Sequence, residues 1–437
     1  MNIKSRLKKF TILVLFLFLN VVLSYSQQPK LAAPRQEKLL NGMNLLVWND
    51  PNAAKVSVKL RIHSGSAFDP QNKEGTMAML GDILFPSEAA KEFFTEELGG
   101  SLDVTSSYDY IQINATATPD QFLTMMETLA NAVVNPQIDK ETTAKIRAAR
   151  LEKLKELEKN PSYIADQAAA KRLFGDFPYG RPQMGTSASL AKIDFADLLF
   201  AKQRFLNADN ATLAVVGSVK SDLVYRAARR YFGAWTQADK RVPATFRQPD
   251  APATKEFLLE IPNAQKYSSR FATMVGARND KDFYTTQILS GIRQNQFCYN
   301  DESKRGNSKF ESNLLRGIYI ISLDNLYSDK METPPTGRNS CLSLSEKDGR
   351  IIYPPITQND FNIAKSQVSA EYQQKTQSTL NLAEMWLDVT TFKLASVKDE
   401  MGKLSNVTFA DVQRVAENLQ KQPTVKVIVK KSETAKQ

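Results

Sequence analysis

The feature that most constrains the fold of this chain is a repeat of very long period. From Lys55 to His63 apolar and polar residues alternate, with Val56, Val58, Leu60 and Ile62 on one side, and the run ends at Ser64-Gly65. That alternation marks a strand with one buried face. Much later, Arg270-Phe-Ala-Thr-Met-Val275 leads into Gly276, 211 positions after Gly65. Phe195-Ala-Asp197 opens a helical pattern that leads to the apolar run Thr212–Gly217. Phe409-Ala-Asp411 does the same before Thr424–Val429, at a separation of 214. Two features at nearly one offset predict two duplicated α+β domains of ordinary size, since the period is far too long for a solenoid. Chance likeness of generic strand-turn-helix units is the alternative.

Each half opens with strands, continues with helices and closes on a strand. Each is therefore expected to form a mixed or antiparallel sheet with helices packed on one face. In the first half, residues 39–48 read as a hairpin turning at Asn41-Gly42. Helices are predicted over 76–85, 91–98, 119–134, 140–159, 161–174 and 194–206, and Ser101 to Thr118 alternates as paired strands. Proline-rich, aperiodic sequence at 236–254 marks the seam. The expected domains are 27–240 and 250–432, with a tail at 433–437.

Residues 1–26 have the form of a secretory signal: Lys4, Arg6, Lys8 and Lys9 precede an apolar core from Phe10 to Leu23. Small residues place cleavage near Ser26 and Gln27, which predicts a periplasmic or secreted protein. A retained membrane anchor is the other reading of the same run. No second long apolar run follows, so no stable membrane span is expected in the mature chain. Removing the four bases of 1–26 leaves 53 Lys and Arg against 47 Asp and Glu, an excess of six. So small and dispersed an excess does not point to nucleic acid. The two cysteines, Cys298 and Cys341, could pair in an oxidising compartment but do not make a disulfide framework.

One histidine, His63, is present in the whole sequence. That excludes any zinc site built on two or three imidazoles and leaves His63 as the sole candidate base for a catalytic triad or Cys-His pair. It stands on the polar side of its strand, where an exposed or edge position is expected.

Several segments, in order, are nevertheless similar to those of zinc peptidases. They are Leu40-Asn-Gly-Met43, Gly65-Ser66, Gly75-Thr76 through Leu84-Phe85, Glu97-Leu-Gly-Gly100, Phe177-Pro-Tyr-Gly-Arg-Pro182, Asn210 to Gly217 and Gly276-Ala-Arg-Asn-Asp280. The chain resembles the pitrilysin/insulinase family, which includes the mitochondrial processing peptidase subunits. That resemblance implies an inverted motif, H-x-x-E-H, on the helix before the Leu-Phe pair. Two imidazoles four residues apart share a helix face and converge on one metal, and the glutamate serves as base to its water. Here those positions hold Ala78, Gly81 and Asp82. The family's third ligand is a glutamate on a later helix, matched loosely by Glu152 or Glu156; the plainer reading is a solvated helix of interleaved Glu and Lys.

The resemblance thus implies no catalytic residues, no metal and no cofactor of the chain's own. It implies a non-catalytic subunit that pairs with a zinc-bearing homologue, as one half of a clam-shell that encloses peptides. A stand-alone peptide- or protein-binding protein is the competing reading, and an enzyme with another metal or nucleophile lacks the clustered residues it needs. In the second half the family uses an arginine and a tyrosine to reach the substrate; Arg316 and Tyr319 stand nearest. A guanidinium and a phenol there could bind a peptide carbonyl or oxyanion; alternatively Tyr319 packs in a strand and Arg316 faces solvent. Pattern weakens over 293–353, through either a remodelled cleft or a local error of reading frame.

Overall fold

The computed structural model describes residues 33–239, 242–261, 268–297, 305–324, 342–344 and 351–432. Residues 1–26, the tail 433–437 and both cysteines lie outside the described residues. Residues from Pro34 onward belong to one unit.

The first half contributes β1 (Arg35–Lys38), β2 (Asn44–Asn49), β3 (Val56–Ile62), α1 (Thr76–Asp82), α2 (Glu88–Glu96), β4 (Ser101–Ser106) and β5 (Ile111–Ala117). Then come α3 (Phe122–Val134), α4 (Lys140–Leu157), α5 (Pro161–Phe174), α6 (Ser187–Leu190), α7 (Phe195–Phe205), β6 (Ala211–Gly217) and α8 (Ser221–Phe232). The second half has β7 (Phe257–Ile261), β8 (Ser268–Val275), α9 (Phe283–Asn295), β9 (Arg305–Ser312), β10 (Gly317–Asp324) and a short ladder of β11 (Ser343–Leu344) with β12 (Ile351–Ile352). It closes with α10 (Gln358–Gln377), α11 (Thr379–Thr391), α12 (Val397–Ser405), α13 (Phe409–Lys421) and β13 (Thr424–Lys431).

The strand orders are β1-β2-β6-β3-β5-β4 and β7-β13-β8-β10-β9. In each sheet one pair is parallel, β2 with β6 and β7 with β13, and the remaining pairs are antiparallel. Apart from β1, the second sheet repeats the first strand for strand, which is the architecture a duplication produces. Strands β9 and β10 take the places of β4 and β5, so part of the weak-pattern region 293–353 forms an ordinary hairpin in this plan.

Alternation in β3 sends Val56, Val58, Leu60 and Ile62 into a core with the helices of the same half. There Met125, Met126, Leu129 and Val133 of α3 pack on them together with Phe94 and Trp235. The hairpin turns at Gly42, whose φ of 87° favours glycine and where a Cβ would stand 2.7 Å from Asp209 Cβ.

The opposite face of this sheet is polar, with Lys59, Arg61, Gln112, Asn114 and Thr212, and it is covered by α11 of the second half. Arg61 is wholly buried. Its Nη1 donates to Asp388 Oδ1 at 2.7 Å and Thr391 Oγ1 at 3.1 Å, its Nε to Gln112 Oε1 at 2.6 Å, and its Nη2 to Glu384. The guanidinium also lies 4.1 Å from the Tyr110 ring centre. Lys59 pairs with Glu384 at 3.0 Å, and Trp48 meets Trp386 edge-on. Burial pushes the Asp388 carboxyl up, against the pull of Arg61. At Glu384 burial acts the same way but is outweighed by Arg61 and Lys59, which hold that carboxyl below its ordinary value.

The exchange is reciprocal. Helix α5 of the first half lies on the second sheet, with Ala165, Ala169 and Leu173 against Ala272, Ile320, Val425 and Val427. Asp166 of α5 accepts from buried Arg270 Nε of β8 at 2.5 Å. Each half therefore packs its own helices on one face of its sheet, as expected, and lends one helix to the other half. His63 is corrected by this arrangement. Instead of standing exposed at an edge, its ring is half-buried beneath α11, with Nδ1 3.0 Å from Thr391 Oγ1 and Nε2 2.9 Å from Thr212 Oγ1.

Removing one member of a buried ion cluster strands the others. Arg61→Ala is expected to destabilise the chain by about 3–5 kcal/mol. The reading is a lower urea midpoint with an unchanged slope; a loss under about 1 kcal/mol, the size of a surface pair, would show that the cluster does not hold the halves together.

Candidate metal face and its surroundings

Helix α1 begins at Gly75, whose φ is 96° and where a Cβ would meet Leu190 Cδ2 at 2.9 Å. The buried Asp69 carboxylate tethers its first turn, accepting from Gly75 N at 2.8 Å and Met77 N at 2.7 Å. Anchored in this way, α1 buries every residue from Thr76 to Gly81. Ala78 and Asp82, four residues apart, fall on one side of it. Gly81 lets β4 approach, since a Cβ there would lie 2.7 Å from Ser106 Oγ.

The side chain that fills this face is Arg150 of α4, itself buried. Its Nη2 donates to Ala78 O at 3.0 Å and to Asp82 Oδ2 at 2.5 Å, its Nε to Asp82 Oδ2 at 3.0 Å, and its Nη1 to Met184 Sδ at 3.3 Å. A guanidinium thus bridges the first and last positions of the motif. Zinc needs three or four nitrogen, sulfur or oxygen donors converging at about 2.0–2.3 Å. This face offers one carboxylate, and that carboxylate is bonded to a fixed positive charge. The residues present do not fit zinc.

The glutamates considered as a third ligand do not turn toward the face. Glu152 and Glu156 are exposed on α4, paired three residues on with Lys155 at 2.7 Å and Lys159 at 2.6 Å. The residue that the sequence reading missed is Arg150, and its signal was present. Thr143, Ile146, Arg150 and Leu154 are the buried residues of α4, spaced three, four and four apart. That spacing puts an arginine on the apolar stripe, where it requires a buried partner.

Arg316 and Tyr319 are not brought together. Tyr319 is buried in β10 opposite Thr273 and Phe310, its hydroxyl 2.9 Å from Ser308 Oγ, among Phe271, Ile321 and Leu323. Burial pushes its phenol well above the ordinary value. Arg316, in the β9–β10 turn, donates to Gln248 Oε1 at 2.8 Å. Strand alternation sends Tyr319 into the core, so the expected substrate-binding pair is corrected: this phenol is closed to any substrate.

The turn itself docks on the first half. Leu314 N donates to Asp109 Oδ2 at 3.0 Å and Leu315 N to Tyr179 Oη at 3.0 Å, while Tyr179 Oη donates to Asp109 Oδ1 at 2.8 Å. Burial raises the Asp109 carboxyl to about 6 and the Asp69 carboxyl to about 7, in each case against hydrogen bonds that lower it.

With this geometry in place, likeness to known proteins can be assigned. Residues 45–187 match the insulinase family (peptidase family M16), and residues 192–330 match the peptidase M16 inactive domain. The chain belongs to the insulinase family. An uncharacterized zinc protease of Rickettsia bellii is 24% identical over 210 residues, 46% of this chain and 50% of that one. The mitochondrial-processing peptidase subunit beta of Saccharomyces cerevisiae is 21% identical over 214 residues, 48% of this chain and 46% of that one. The chain thus spans about half the length of the curated relatives it matches. Among solved structures, a protease from Helicobacter pylori aligns with a TM-score of 0.77 at 15% identity, covering 91% of this chain and 100% of that one. A peptidase M16 inactive domain from Pseudomonas fluorescens aligns at 0.73 with 18% identity, covering 93% and 99%. These alignments establish a shared fold. Among the described residues, no helix is long and apolar enough to cross a membrane.

Two expectations follow for this insulinase-family chain. Restoring the motif alone, by Ala78→His, Gly81→Glu and Asp82→His together, leaves Arg150 buried without its carboxylate. The triple variant should retain no stoichiometric zinc after dialysis and should lose about 3 kcal/mol of stability; zinc at one equivalent by metal analysis would refute this. The second concerns pH. Asp69 and Asp109 titrate above the ordinary carboxyl value of 3.8, so the native chain holds more protons than the unfolded one between that value and about 6–7. Their contribution to stability is complete below the ordinary value and is lost as pH rises through about 7 for Asp69 and about 6 for Asp109. Urea titrations from acid to neutral pH should show a downward slope that Asp109→Asn makes shallower.

Proposed function

We propose that this chain is a non-catalytic member of the insulinase family that pairs with a homologous zinc-bearing peptidase and helps enclose its peptide substrates. The observation that carries the reading is the Arg150 guanidinium bonded to Ala78 O and Asp82. A hydrolytic zinc site needs a metal-bound water and a base beside it. In this chain the base position is Gly81, and a permanent cation stands at the ligand positions, which disfavours a metal dication.

Pairing is supported by kinship: a relative from yeast is, by its name, a subunit of a processing peptidase. The signal-like segment 1–26 supports action outside the cytoplasm, in the periplasm or beyond. A peptide-binding protein acting alone would share the inactive face but would need no partner.

The test is co-purification with a family member from the same cell that carries an intact H-x-x-E-H helix. The expected result is a stable complex whose peptide hydrolysis exceeds that of the zinc-bearing chain alone, while the isolated chain hydrolyses nothing. Absence of both association and enhancement transfers support to the stand-alone binder. Zinc-dependent hydrolysis by the isolated, contaminant-free chain overturns both.

A further inference from the structure

A cleft of about 260 Å³ opens where the two halves meet, between the end of β3, the end of α7, the linker at Ala238 and 242–244, the β9–β10 turn and the end of α11. Its apolar lining comes from Phe68, Phe205, Val242 and Leu314, and its cationic lining from Arg204 and Lys393. Among the described residues, no aspartate or glutamate lines it. Asp209, next in sequence to Asn210, accepts from the Ala238 amide at 2.9 Å.

The two cations are unspent. Arg204 is exposed and lies over the rings of Phe200 and Phe205, with centroid distances of 5.1 and 5.8 Å, and makes no ion pair among the described residues. Lys393 is exposed, likewise without a carboxylate partner among the described residues, and is held at a φ of 55° just past α11.

The inner wall is polar and largely satisfied. Thr391 Oγ1 donates to Leu387 O at 3.0 Å and receives Arg61 Nη1, so toward His63 it can only accept. His63 Nδ1 therefore carries a hydrogen, and in the neutral ring Nε2 accepts from Thr212. Buried Ser64 accepts from Asn210 Nδ2 at 3.0 Å and has no acceptor for its own hydrogen among the described residues. One hydroxyl donor in the wall is thus left to a ligand.

Two unpaired cations at the rim, a spare hydroxyl donor and an apolar floor suit an anion with an apolar body. The volume lies just under the range of about 300–1,000 Å³ usual for small-molecule pockets. It admits a terminal group and one side chain, not a length of peptide. We propose that this cleft binds an organic carboxylate carrying an apolar group, and that the carboxylate is the C-terminus of a peptide whose last side chain enters the cleft. The peptide source rests on the function proposed above; the carboxylate chemistry does not. Peptide termini and free acids such as medium-chain fatty acids share this chemistry.

Titration calorimetry on the isolated full chain separates them, using an acetylated hexapeptide ending in Leu-Phe, the same peptide as its C-terminal amide, and octanoate. The free-acid peptide should bind about tenfold or more tightly than the amide, as the loss of a charge-assisted contact implies. Arg204→Gln with Lys393→Asn should erase that difference without lowering the melting temperature, because both residues are exposed and asparagine tolerates the positive φ. Lys192→Gln, at an exposed lysine outside the cleft, should leave it intact. Octanoate binding as tightly as the peptide keeps the carboxylate site and overturns its peptide source. Equal affinity for acid and amide, an unaltered preference in the double variant, or no binding of any probe at about 1 mM, the weak end of specific affinity, overturns the site. Neither pairing with another subunit nor its failure changes these results.

Discussion

At the seam between the halves, a guanidinium has been taken out of water and given four partners. Arg61 reaches two carboxylates and a hydroxyl on α11, and a glutamine on its own sheet. A buried charge is costly unless its geometry is nearly complete, so these bonds fix where α11 must lie. With α11 in place, Thr391 meets His63, Trp386 meets Trp48, and Lys393 stands at the cleft. Arg270 and Asp166 repeat the device on the other sheet, where α5 supplies an apolar stripe. The cores, the cleft and the docked β9–β10 turn all presuppose this exchange of helices.

The motif helix shows the same rule at smaller scale. Asp69 anchors its start, Arg150 occupies its outward positions, and both groups are deeply buried. An arginine among the carbonyl of Ala78, the carboxylate of Asp82 and the sulfur of Met184 fills the volume and balances the charge. What distinguishes this face from a peptidase site is therefore a positive construction as well as missing residues.

Much of this was legible in the order of residues. Helix α5 was read at its observed limits, since Asn160 caps Ser162 N, Pro161 opens the first turn and Gly175 ends it at a φ of 59°. The alternation of β3 placed its apolar face correctly. Helix α1 was read too long: it stops at Asp82, four residues short of Pro86. The covering of the polar face was not legible, because α11 lies more than three hundred positions beyond β3 and periodicity carries no information over that distance. His63 was misplaced for that reason. For Tyr319 the sequence leaves two readings open, a substrate contact and a packed strand residue, and its place in the core of β10 decides for the second. Arg150 had the spacing of a buried residue, but its partners Ala78 and Asp82 lie 72 and 68 positions earlier, beyond the reach of periodicity.

Exchanged helices also bear on motion. The halves grip each other through α5 and α11, each grip holding an ion pair on a buried guanidinium, and through the docked β9–β10 turn. A rigid-body hinge between the halves would have to break all three at once, which opposes large-amplitude breathing within this polypeptide. If this chain takes part in an enclosure, that enclosure must open along a boundary with some other molecule, with the chain itself moving as one block.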